Sequence, residues 1–393
     1  MRLAPAFIAS LFVTACVFAP DSEPDEDDDP AWDVASDPDA PAELDEIDDA
    51  ADDPVELVDD APDPAELDEV AEAAEPEVVE DLDVLARAGQ YRNPLGPTCA
   101  DPGIIKIAGT DGPTFWAACT GNGFPLFKSR DLVHWTAAGR IFTVATKPKW
   151  AGGNNWAPEI HRVGNGLVAY FTALSPSRGR MCIGAARAAS MAGPWRDIGH
   201  PLVCDRNVSL IDAHVYSDAA GRHYLYYKTD GNGLSPKKPT IIYGHQLRAD
   251  GAGFVGKRHA LLRNTLGWEG DVVEAPWVIH RGTYYYLFYS GFRYCNATYG
   301  VGVARSRSPL GPFTKRSAPI LKSNGRWAGP GHNSVVRTGG KAYMVYHAWD
   351  APHACGDPGG RHLMIDAISW KGGWPVVNNG TPSRTARQAP AIP

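Results

Sequence analysis

The sequence predicts an all-β fold, and three observations support this class. From Tyr91 onward, short apolar runs rich in aromatic residues alternate with turns that contain Gly and Pro. A unit of three such runs recurs five times, at intervals of roughly 55–62 residues. One unit cannot bury both faces of its sheet, whereas five units stacked in a ring can. We therefore predict a five-bladed β-propeller over residues 89–382, followed by a C-terminal tail of residues 383–393.

Each predicted blade opens with a similar first strand. These strands begin at positions 100, 156, 211, 273 and 331 with ADPGIIKI, WAPEIHRV, IDAHVYSD, VEAPWVIHRG and GHNSVVRTGG. An aromatic strand and then a third strand follow in every unit, for example YYYLFYSG and VGVARSRSPLGPF in the fourth. The alternative is a β-sandwich with accidental spacing. Agreement at three separate strands in five repeats favours the propeller.

The residues before the repeats predict an export signal and a linker. Residues 1–16 contain Arg2, an apolar stretch too short to span a bilayer, and the sequence Val13-Thr14-Ala15-Cys16. Small residues before a cysteine resemble a bacterial lipobox, which makes Cys16 a predicted lipid anchor. An ordinary cleaved signal is the alternative. We expect an exported protein, either a lipoprotein facing the cell surface or periplasm or a secreted protein.

Residues 17–88 predict a disordered acidic linker, because their charges repel one another and few large apolar groups are present. The stretch Asp21–Asp83 contains 30 Asp and Glu and no Lys or Arg. After it, 16 Asp and Glu and 36 Lys and Arg remain, a formal charge of +20. The simplest interpretation is a solvated tether. An acidic arm lying across the basic domain and a metal-binding tail are the alternatives.

The basic domain does not carry the sequence patterns of a nucleic-acid-binding protein. It contains no helix-turn-helix, zinc-finger or RNP-like motif. Two hypotheses remain for its positive charge, namely affinity for acidic pectic material and neutralisation by the acidic linker. We expect a monomer that binds a polysaccharide or oligosaccharide and does not bind nucleic acid.

Six cysteines follow Cys16, and an even number in an exported chain indicates disulfides. A zinc site built from cysteines is not expected, because the sequence has no C-x-x-C pair. Fifteen connectivities are available to six cysteines. We favour pairing between sequence neighbours, Cys99–Cys119, Cys182–Cys204 and Cys295–Cys355.

The polar residues of the first strands indicate a site on the propeller axis. Alignment of the five strands places one residue of each at an equivalent position: Asp101, Ala157, Asp212, Glu274 and His332. First strands line the central channel of a propeller, so side chains from equivalent positions face one another across it. Three carboxyl groups and one imidazole should therefore converge.

Two carboxyl groups suffice for glycoside hydrolysis if one is protonated and the other is ionised. Glu274 is the predicted proton donor, because apolar neighbours and the like charge of Asp212 would favour its neutral form. Asp101 opens its strand near a wetter rim and is the predicted base. Asp212 would tune Glu274 and hold the sugar.

These motifs resemble glycoside hydrolase family 43 over about residues 91–382. The resemblance rests on CADPGIIKI, NNWAPEIH, SLIDAHVY, DVVEAPWV and AGPGHNSVV. It implies a five-bladed propeller with Asp101 as general base, Asp212 as pKa modulator and orienting residue, and Glu274 as general acid. It also implies inversion at the anomeric carbon, which needs an acid–base separation of roughly 6.5–9.5 Å.

Three further residues are candidates for binding. Trp156 is expected to form an aromatic wall for the sugar, with blade packing as the alternative. Arg361 resembles the substrate-contacting arginine of the family. His332 matches a histidine that in family arabinanases binds a central metal ion, often calcium, directly or through water. No cofactor is expected for the chemistry, and a structural Ca²⁺ near His332 would be held mostly by water and oxygen.

The predicted function is an inverting hydrolase of α-L-arabinofuranosyl linkages in arabinan or arabinose-substituted polysaccharide. A β-xylosidase or galactanase of the same family is the first alternative. The family's β-xylosidases commonly carry an added β-sandwich, and the few residues after the last blade favour the arabinose-cleaving members. A disulfide that joins the rim loops 291–299 and 349–360 would favour exo action. A non-catalytic sugar-binding propeller on the cell surface is the alternative from another class.

Overall fold

A computed structural model of the protein describes residues 89–355 and 358–393. The extended elements of these residues are β-strands, and their helical segments are three 3-10 turns of three residues each. The predicted signal and acidic linker, residues 1–88, lie outside the described residues. Among the helices that the structure does describe, none has the length and apolar character needed to cross a membrane.

The strands form five four-stranded antiparallel sheets and one two-stranded sheet in this part of the chain. A short strand, β1 (Gln90–Tyr91), precedes the blades. Blade I contains β2 (Gly103–Ile107), β3 (Thr114–Ala118), β4 (Pro125–Ser129) and β5 (Thr136–Arg140). Blade II contains β6 (Gly153–Val163), β7 (Gly166–Ser175), β8 (Arg180–Ala188) and β9 (Arg196–Asp197). Blade III contains β10 (Leu210–Ser217), β11 (His223–Thr229), β12 (Ile241–Leu247) and β13 (Phe254–Arg263).

The last two blades repeat the same order. Blade IV contains β14 (Val273–Arg281), β15 (Tyr284–Gly291), β16 (Gly300–Ser306) and β17 (Thr314–Lys315). Blade V contains β18 (Trp327–Thr338), β19 (Lys341–Asp350), β20 (His362–Lys371) and β21 (Trp374–Val377). A final short strand, β22 (Arg387–Gln388), follows. The predicted five-bladed propeller is confirmed, and each blade has a fourth, outer strand.

The aromatic second strands are buried because a neighbouring blade covers each face. All seven residues of β11, HYLYYKT, are buried, including the polar His223, Lys228 and Thr229, so burial does not alternate along this strand. Five hydrophobic clusters form the core, one at each junction between successive blades. Phe171, for example, packs against Phe124 at a ring distance of 5.1 Å across the junction of blades I and II. Its replacement by alanine should cost about 3–5 kcal/mol of stability.

The two ends of the described domain close the ring together. Gln90 of β1 pairs with Gln388 of β22, and the buried Tyr91 joins the cluster between blades V and I. The chain then runs along β20, where the Leu95 N–H donates to the Leu363 carbonyl at 2.9 Å. The predicted tail, residues 383–393, thus contributes a strand to the closure.

The three predicted disulfides are confirmed: Cys99–Cys119, Cys182–Cys204 and Cys295–Cys355. The first joins the segment before β2 to the loop after β3. It therefore holds Asp101 and Thr120, which follow these cysteines closely in sequence, near each other. The third joins the loop after β15 to the loop after β19. These are the rim loops 291–299 and 349–360, whose connection is predicted to favour exo action.

Candidate active site

Besides Asn154 (φ 51°) in β6, each blade has one non-glycine residue in the left-handed region, in its innermost strand or just before it. These residues are Asp101 (φ 54°), Ala157 (44°), Asp212 (61°), Ala275 (54°) and His332 (47°). In blades II to V each lies within a break in the strand register. Such a backbone is strained, and bulges of this kind re-aim side chains at functional sites. The five residues are therefore the equivalent positions of the repeat.

The predicted equivalence of Glu274 with the other four residues is wrong by one position. Ala275 carries the left-handed backbone in blade IV. By its place before the register break, Glu274 corresponds instead to Trp156, Ile211 and Gly331. Blades II to V share the same register break, so the error came from aligning Glu274 with the polar residues of the other strands. The Ala-Pro pairs at 157–158 and 275–276 carry the correct register in the sequence.

Asp101 is a buried carboxylate surrounded by donors. Its Oδ1 accepts from Arg361 Nη1 at 2.5 Å, and its Oδ2 accepts from Thr120 Oγ1 at 2.6 Å. His332 Nδ1 lies 3.2 Å from Oδ1. Burial raises the pKa of Asp101, but Arg361, His332, His347 and Thr120 outweigh burial and leave this pKa below its ordinary value. Asp101 is thus ionised at neutral pH, as a general base must be.

His347 is a buried residue that contacts the backbone of Asp101. The Asp101 backbone N–H donates to His347 Nδ1 at 3.2 Å, which assigns the proton of a neutral ring to Nε2. Burial, with the charge of Arg361 nearby, holds the pKa of His347 well below its ordinary value. Sequence analysis missed this residue, because it lies in the second strand of blade V.

Asp212 is buried close to the backbone beside Glu274. Its Oδ2 accepts from the Ala275 N–H at 3.0 Å, and its own N–H donates to Thr172 Oγ1 at 3.2 Å. Burial raises the pKa of Asp212 to about 6. The negative charges of Glu274 and Asp101 act in the same direction as burial, whereas His332 and Lys228 oppose it.

Glu274 lies among polar partners, and the apolar surroundings predicted for its carboxyl group are wrong. Its Oε2 accepts from Lys228 Nζ at 2.8 Å and its Oε1 accepts from Tyr299 Oη at 2.8 Å. Tyr299 packs against Gly331, where an added Cβ would lie 2.0 Å from the tyrosine ring. A side chain at Gly331 would therefore displace a partner of Glu274.

Lys228 was missed by the sequence analysis although it interrupts an aromatic strand in the same way as Glu274. Its side chain is 1% exposed and also contacts Asp230 Oδ1, at 2.9 Å. Burial lowers the pKa of Lys228, but Glu274, Asp230 and Asp212 outweigh burial and raise this pKa overall. Lys228 is therefore a charged partner that fixes one oxygen of Glu274.

The structure brings most of the predicted binding residues to the same end of the channel. Trp156 is 37% exposed, and the backbone N–H of its neighbour Ala157 donates at 2.7 Å to Thr120 Oγ1, which contacts Asp101. Arg361 contacts Asp101 directly and lies 4.9 Å from the ring of Tyr294. We call this end, near the starts of the innermost strands, the catalytic end, and the opposite end the far end.

A cavity of about 10 Å³ continues along the axis below these residues, and Asp212, Glu159 and Asn333 are among the residues that line it. Glu159 is buried and its Oε2 lies 2.6 Å from His214 Nδ1. The buried side chain of Asn333 has no partner within the residues that the structure describes. The cavity is large enough for one water molecule, which the Asn333 amide could bind.

The fold and the axial carboxyl groups define a propeller of the class that hydrolyses glycosidic bonds. The family model of glycosyl hydrolases family 43 matches residues 91–375. The chain belongs to this family, and its substrate is accordingly a polysaccharide or oligosaccharide. Enzymes of this family need no cofactor for the chemistry.

Two curated relatives and one solved structure illustrate the similarity. An extracellular exo-α-(1→5)-L-arabinofuranosidase of Cellvibrio japonicus is 28% identical over 68% of this chain and 84% of its own length. An extracellular endo-α-(1→5)-L-arabinanase of Bacillus subtilis is 29% identical over 70% of this chain and 86% of its own length. The crystal structure of a thermostable family-43 glycoside hydrolase is 29% identical, covers 77% of this chain and 100% of its own, and superimposes with a TM-score of 0.69.

Proposed function

We propose that the protein hydrolyses α-L-arabinofuranosyl linkages, in arabinan or in arabinose-substituted polysaccharide, with inversion. The observation that carries this proposal is the set of three carboxyl groups at the catalytic end, two of them with pKa values moved in opposite directions. The lowered pKa of Asp101 suits a base, and the raised pKa belongs to Asp212, the residue that lies beside the proposed acid Glu274. The two curated relatives described above are named for activities on α-(1→5)-L-arabinose linkages, which supports this sugar over xylose or galactose.

In the proposed mechanism Asp101 takes a proton from a water molecule while the water oxygen bonds to the anomeric carbon. Glu274 gives its proton to the oxygen of the leaving sugar as the glycosidic bond breaks. Asp212, through its hydrogen bond to the Ala275 N–H, holds the backbone beside Glu274 and orients the acid. Single displacement by water inverts the anomeric centre.

Trp156 and Arg361 are the proposed substrate contacts in addition to the three carboxyl residues. The exposed face of Trp156 offers a surface for a sugar ring. Arg361 has a second role in the structure, because its ion pair lowers the pKa of Asp101. The disulfide between the rim loops supports exo action, and chain-length analysis of products from linear arabinan tests it.

The deciding experiment compares wild type with Glu274→Gln on debranched arabinan, arabinoxylan and galactan, and on aryl arabinofuranoside and xyloside. We expect arabinose release by the wild type and a loss of about 10³-fold in kcat for the variant on arabinan. Faster release of xylose or galactose would favour the alternative specificities. A variant as active as the wild type would overturn the assignment of the acid, and sugar binding without release would favour the non-catalytic alternative.

A calcium ion near His332 stays a prediction, and the protein groups present could hold it only weakly. His332 Nδ1 already faces Asp101, and imidazole is a poor ligand for calcium. In residues 89–355 and 358–393, no group of three or more His, Cys, Asp and Glu side chains is placed to bind a metal ion. An ion there would be bound mainly by water. We expect CaCl₂ to raise the melting temperature of EGTA-treated wild type but not of His332→Ala.

We also propose export, attachment through a lipid on Cys16, and a monomeric state. Three disulfides and the extracellular relatives support export. Cys16 lies outside the described residues. Mass spectrometry of the mature N-terminal peptide tests the lipid, and Cys16→Ser should release the protein from membranes. Light scattering of the purified protein tests the monomer.

A further inference from the structure

The far end of blades IV and V carries a cluster of arginines and aromatic rings that the catalytic site does not use. We define this arginine–aromatic cluster as Arg281, Arg305 and Arg307 with Tyr284, Trp370 and Trp374. All six residues lie at or beside the turns where β14 meets β15, β16 leads to β17 and β20 meets β21. These turns are at the opposite end of the blades from Asp101, Asp212 and Glu274.

The arginines of the cluster are held in place by the rings. The Arg305 guanidinium lies between two of them, 4.7 Å from Tyr284 and 4.3 Å from Trp374. Arg281 lies 4.3 Å from the ring of Trp370. Arg281 and Arg307 are exposed. A guanidinium stacked on a ring can still use its N–H edges for carboxylates, and in this cluster Arg305 Nη1 already donates to the Gly373 carbonyl at 3.3 Å.

These positive charges have no acidic partner within the described residues. None of Arg281, Arg305 and Arg307 forms an ion pair there. The corresponding far-end turns of blades I and III contain Asp111, Asp131, Asp218 and Asp250, whereas those of blades IV and V contain no acid. From Ala275 to the last residue the sequence has 14 Lys and Arg and three Asp.

The chain enters the domain at this same end. At the catalytic end, the Cys99 N–H donates to the Arg361 carbonyl. Leu95, beside Leu363, lies closer to the far end. Still closer to the far end, the Gly89 carbonyl accepts from the Ala389 N–H at 2.9 Å. Ala391 accepts from Thr338, in the far-end turn of blade V. The acidic stretch that ends at Asp83 therefore joins the domain near the far end, with five residues between Asp83 and Gly89.

We propose that the acidic stretch Asp21–Asp83 binds the arginine–aromatic cluster of its own chain. Its 30 carboxylates and absence of bases complement the unpaired arginines. Ten of the carboxylates lie in the nearest part, residues 63–83. Each exposed ion pair contributes roughly 0–1 kcal/mol, but covalent attachment gives a local concentration in the millimolar range. The contact leaves the catalytic end open and turns it away from an anchor at the N-terminus.

Carbodiimide cross-linking of the full-length chain, read by mass spectrometry, tests this contact. The reagent joins amines to carboxylates without a spacer. Lys341 and Lys371 are exposed in the far-end turns of blade V, and Lys147 and Lys149 are exposed before β6 at the catalytic end. We expect links from residues 21–83 to the first pair at 20 mM NaCl. Their yield should fall about tenfold at 500 mM NaCl, since salt screens exposed charges.

A double variant and a matched control make the test specific. Arg281→Gln/Arg307→Gln should reduce the link yield several-fold, whereas Arg162→Gln/Arg196→Gln removes two exposed charges from the far end of blade II and should leave it unchanged. Both variants should keep wild-type melting temperature and activity. Equal linking to all four lysines, or equal loss in both variants, would overturn the proposal.

Two further outcomes would assign the cluster to another partner. Links whose yield rises with protein concentration would indicate contact between copies of the chain. Polygalacturonate that binds the full-length wild type but not the double variant, in the absence of internal links, would assign the cluster to an acidic polysaccharide. Either result contradicts the intramolecular contact.

Discussion

The two ends of the propeller use charge in different ways. At the catalytic end, the carboxyl groups are buried and contact cations or other donors, as Asp101 contacts Arg361 and Glu274 contacts Lys228. At the far end of blades IV and V, exposed arginines lie on aromatic rings and have no acidic partner within the described residues. Buried pairs are sensitive to the loss of one member, whereas exposed charges are screened by salt. The same fold thus holds a fixed reactive site at one end and an adaptable charged surface at the other.

The largest effect is expected from Asp101→Asn. The amide cannot accept the proton of water, so kcat on debranched arabinan should fall by about 10³-fold. Steady-state kinetics checks this loss. Asp111→Asn, at an exposed far-end turn of blade I, is the matched control and should keep wild-type activity. Equal effects of the two changes would remove the distinction between the two ends.

The second largest effect is expected from Lys228→Met. It leaves Glu274 and Asp230 without their shared ammonium, and loss of one member of a buried pair costs about 3 kcal/mol or more. The free energy of unfolding should fall accordingly, and kcat should fall by about tenfold or more with little change in KM, because the Glu274 carboxyl is less well oriented.

Asp230→Asn separates structure from positioning in this pair. It removes one partner of Lys228 but keeps the contact between Lys228 and Glu274. We expect reduced stability with nearly wild-type kcat. If both variants lose kcat in proportion to their stability, Lys228 is only a structural residue.

A smaller effect is expected in the pH dependence of stability. The pKa of Asp212 is raised to about 6 by burial and by the charge of Glu274, so the folded protein binds a proton that the unfolded chain releases near pH 4. The contribution of Asp212 is present below about pH 4 and is lost as the pH rises towards 6. The unfolding free energy of wild type relative to Asp212→Asn should fall in that interval, by about 2 kcal/mol. Urea titrations at several pH values measure it.

Asp131 provides a control of opposite sign. Burial raises its pKa, but hydrogen bonds from His134, Val133 and Ser129 outweigh burial and lower it. The stability of wild type relative to Asp131→Asn should therefore be lost as the pH falls below about 4. The same trend in both variants would contradict the pKa assignment of Asp212.

The smallest effect is expected from Arg281→Gln/Arg307→Gln. Because these charges are exposed and distant from the carboxyl groups, stability should change by no more than about 0.5 kcal/mol per residue. Activity on aryl arabinofuranoside should equal that of the wild type. A large loss of activity would show that the two ends are coupled.

The sequence was sufficient for the fold and for the position of Asp101, Asp212 and Glu274 at one end of the channel, because both depend on the repeat. The three disulfides followed from pairing cysteines that are neighbours in sequence. It was insufficient for the register at Glu274, since the alignment matched polar residues and not the Ala-Pro pairs that mark the shared register break. Thr120 and His347 were missed because only first strands were compared; the N–H of the left-handed residue in the following blade donates to each of them, as others do to Thr172 and Ser290. Tyr299 was missed because it lies in a loop outside the repeated strands. Lys228 had a readable signal, a basic residue inside a buried aromatic strand.

The ring of left-handed residues offers one place for protein engineering. Asp101, Asp212 and His332 occupy three of its five positions, while Ala157 and Ala275 occupy the others. Ala275 adjoins the proposed acid, but Ala157 lies in a different blade, and its backbone already tolerates a side chain with φ of 44°. A carboxylate or imidazole introduced there would add a fourth functional group at the rim of the channel, on a scaffold that already has the required curvature.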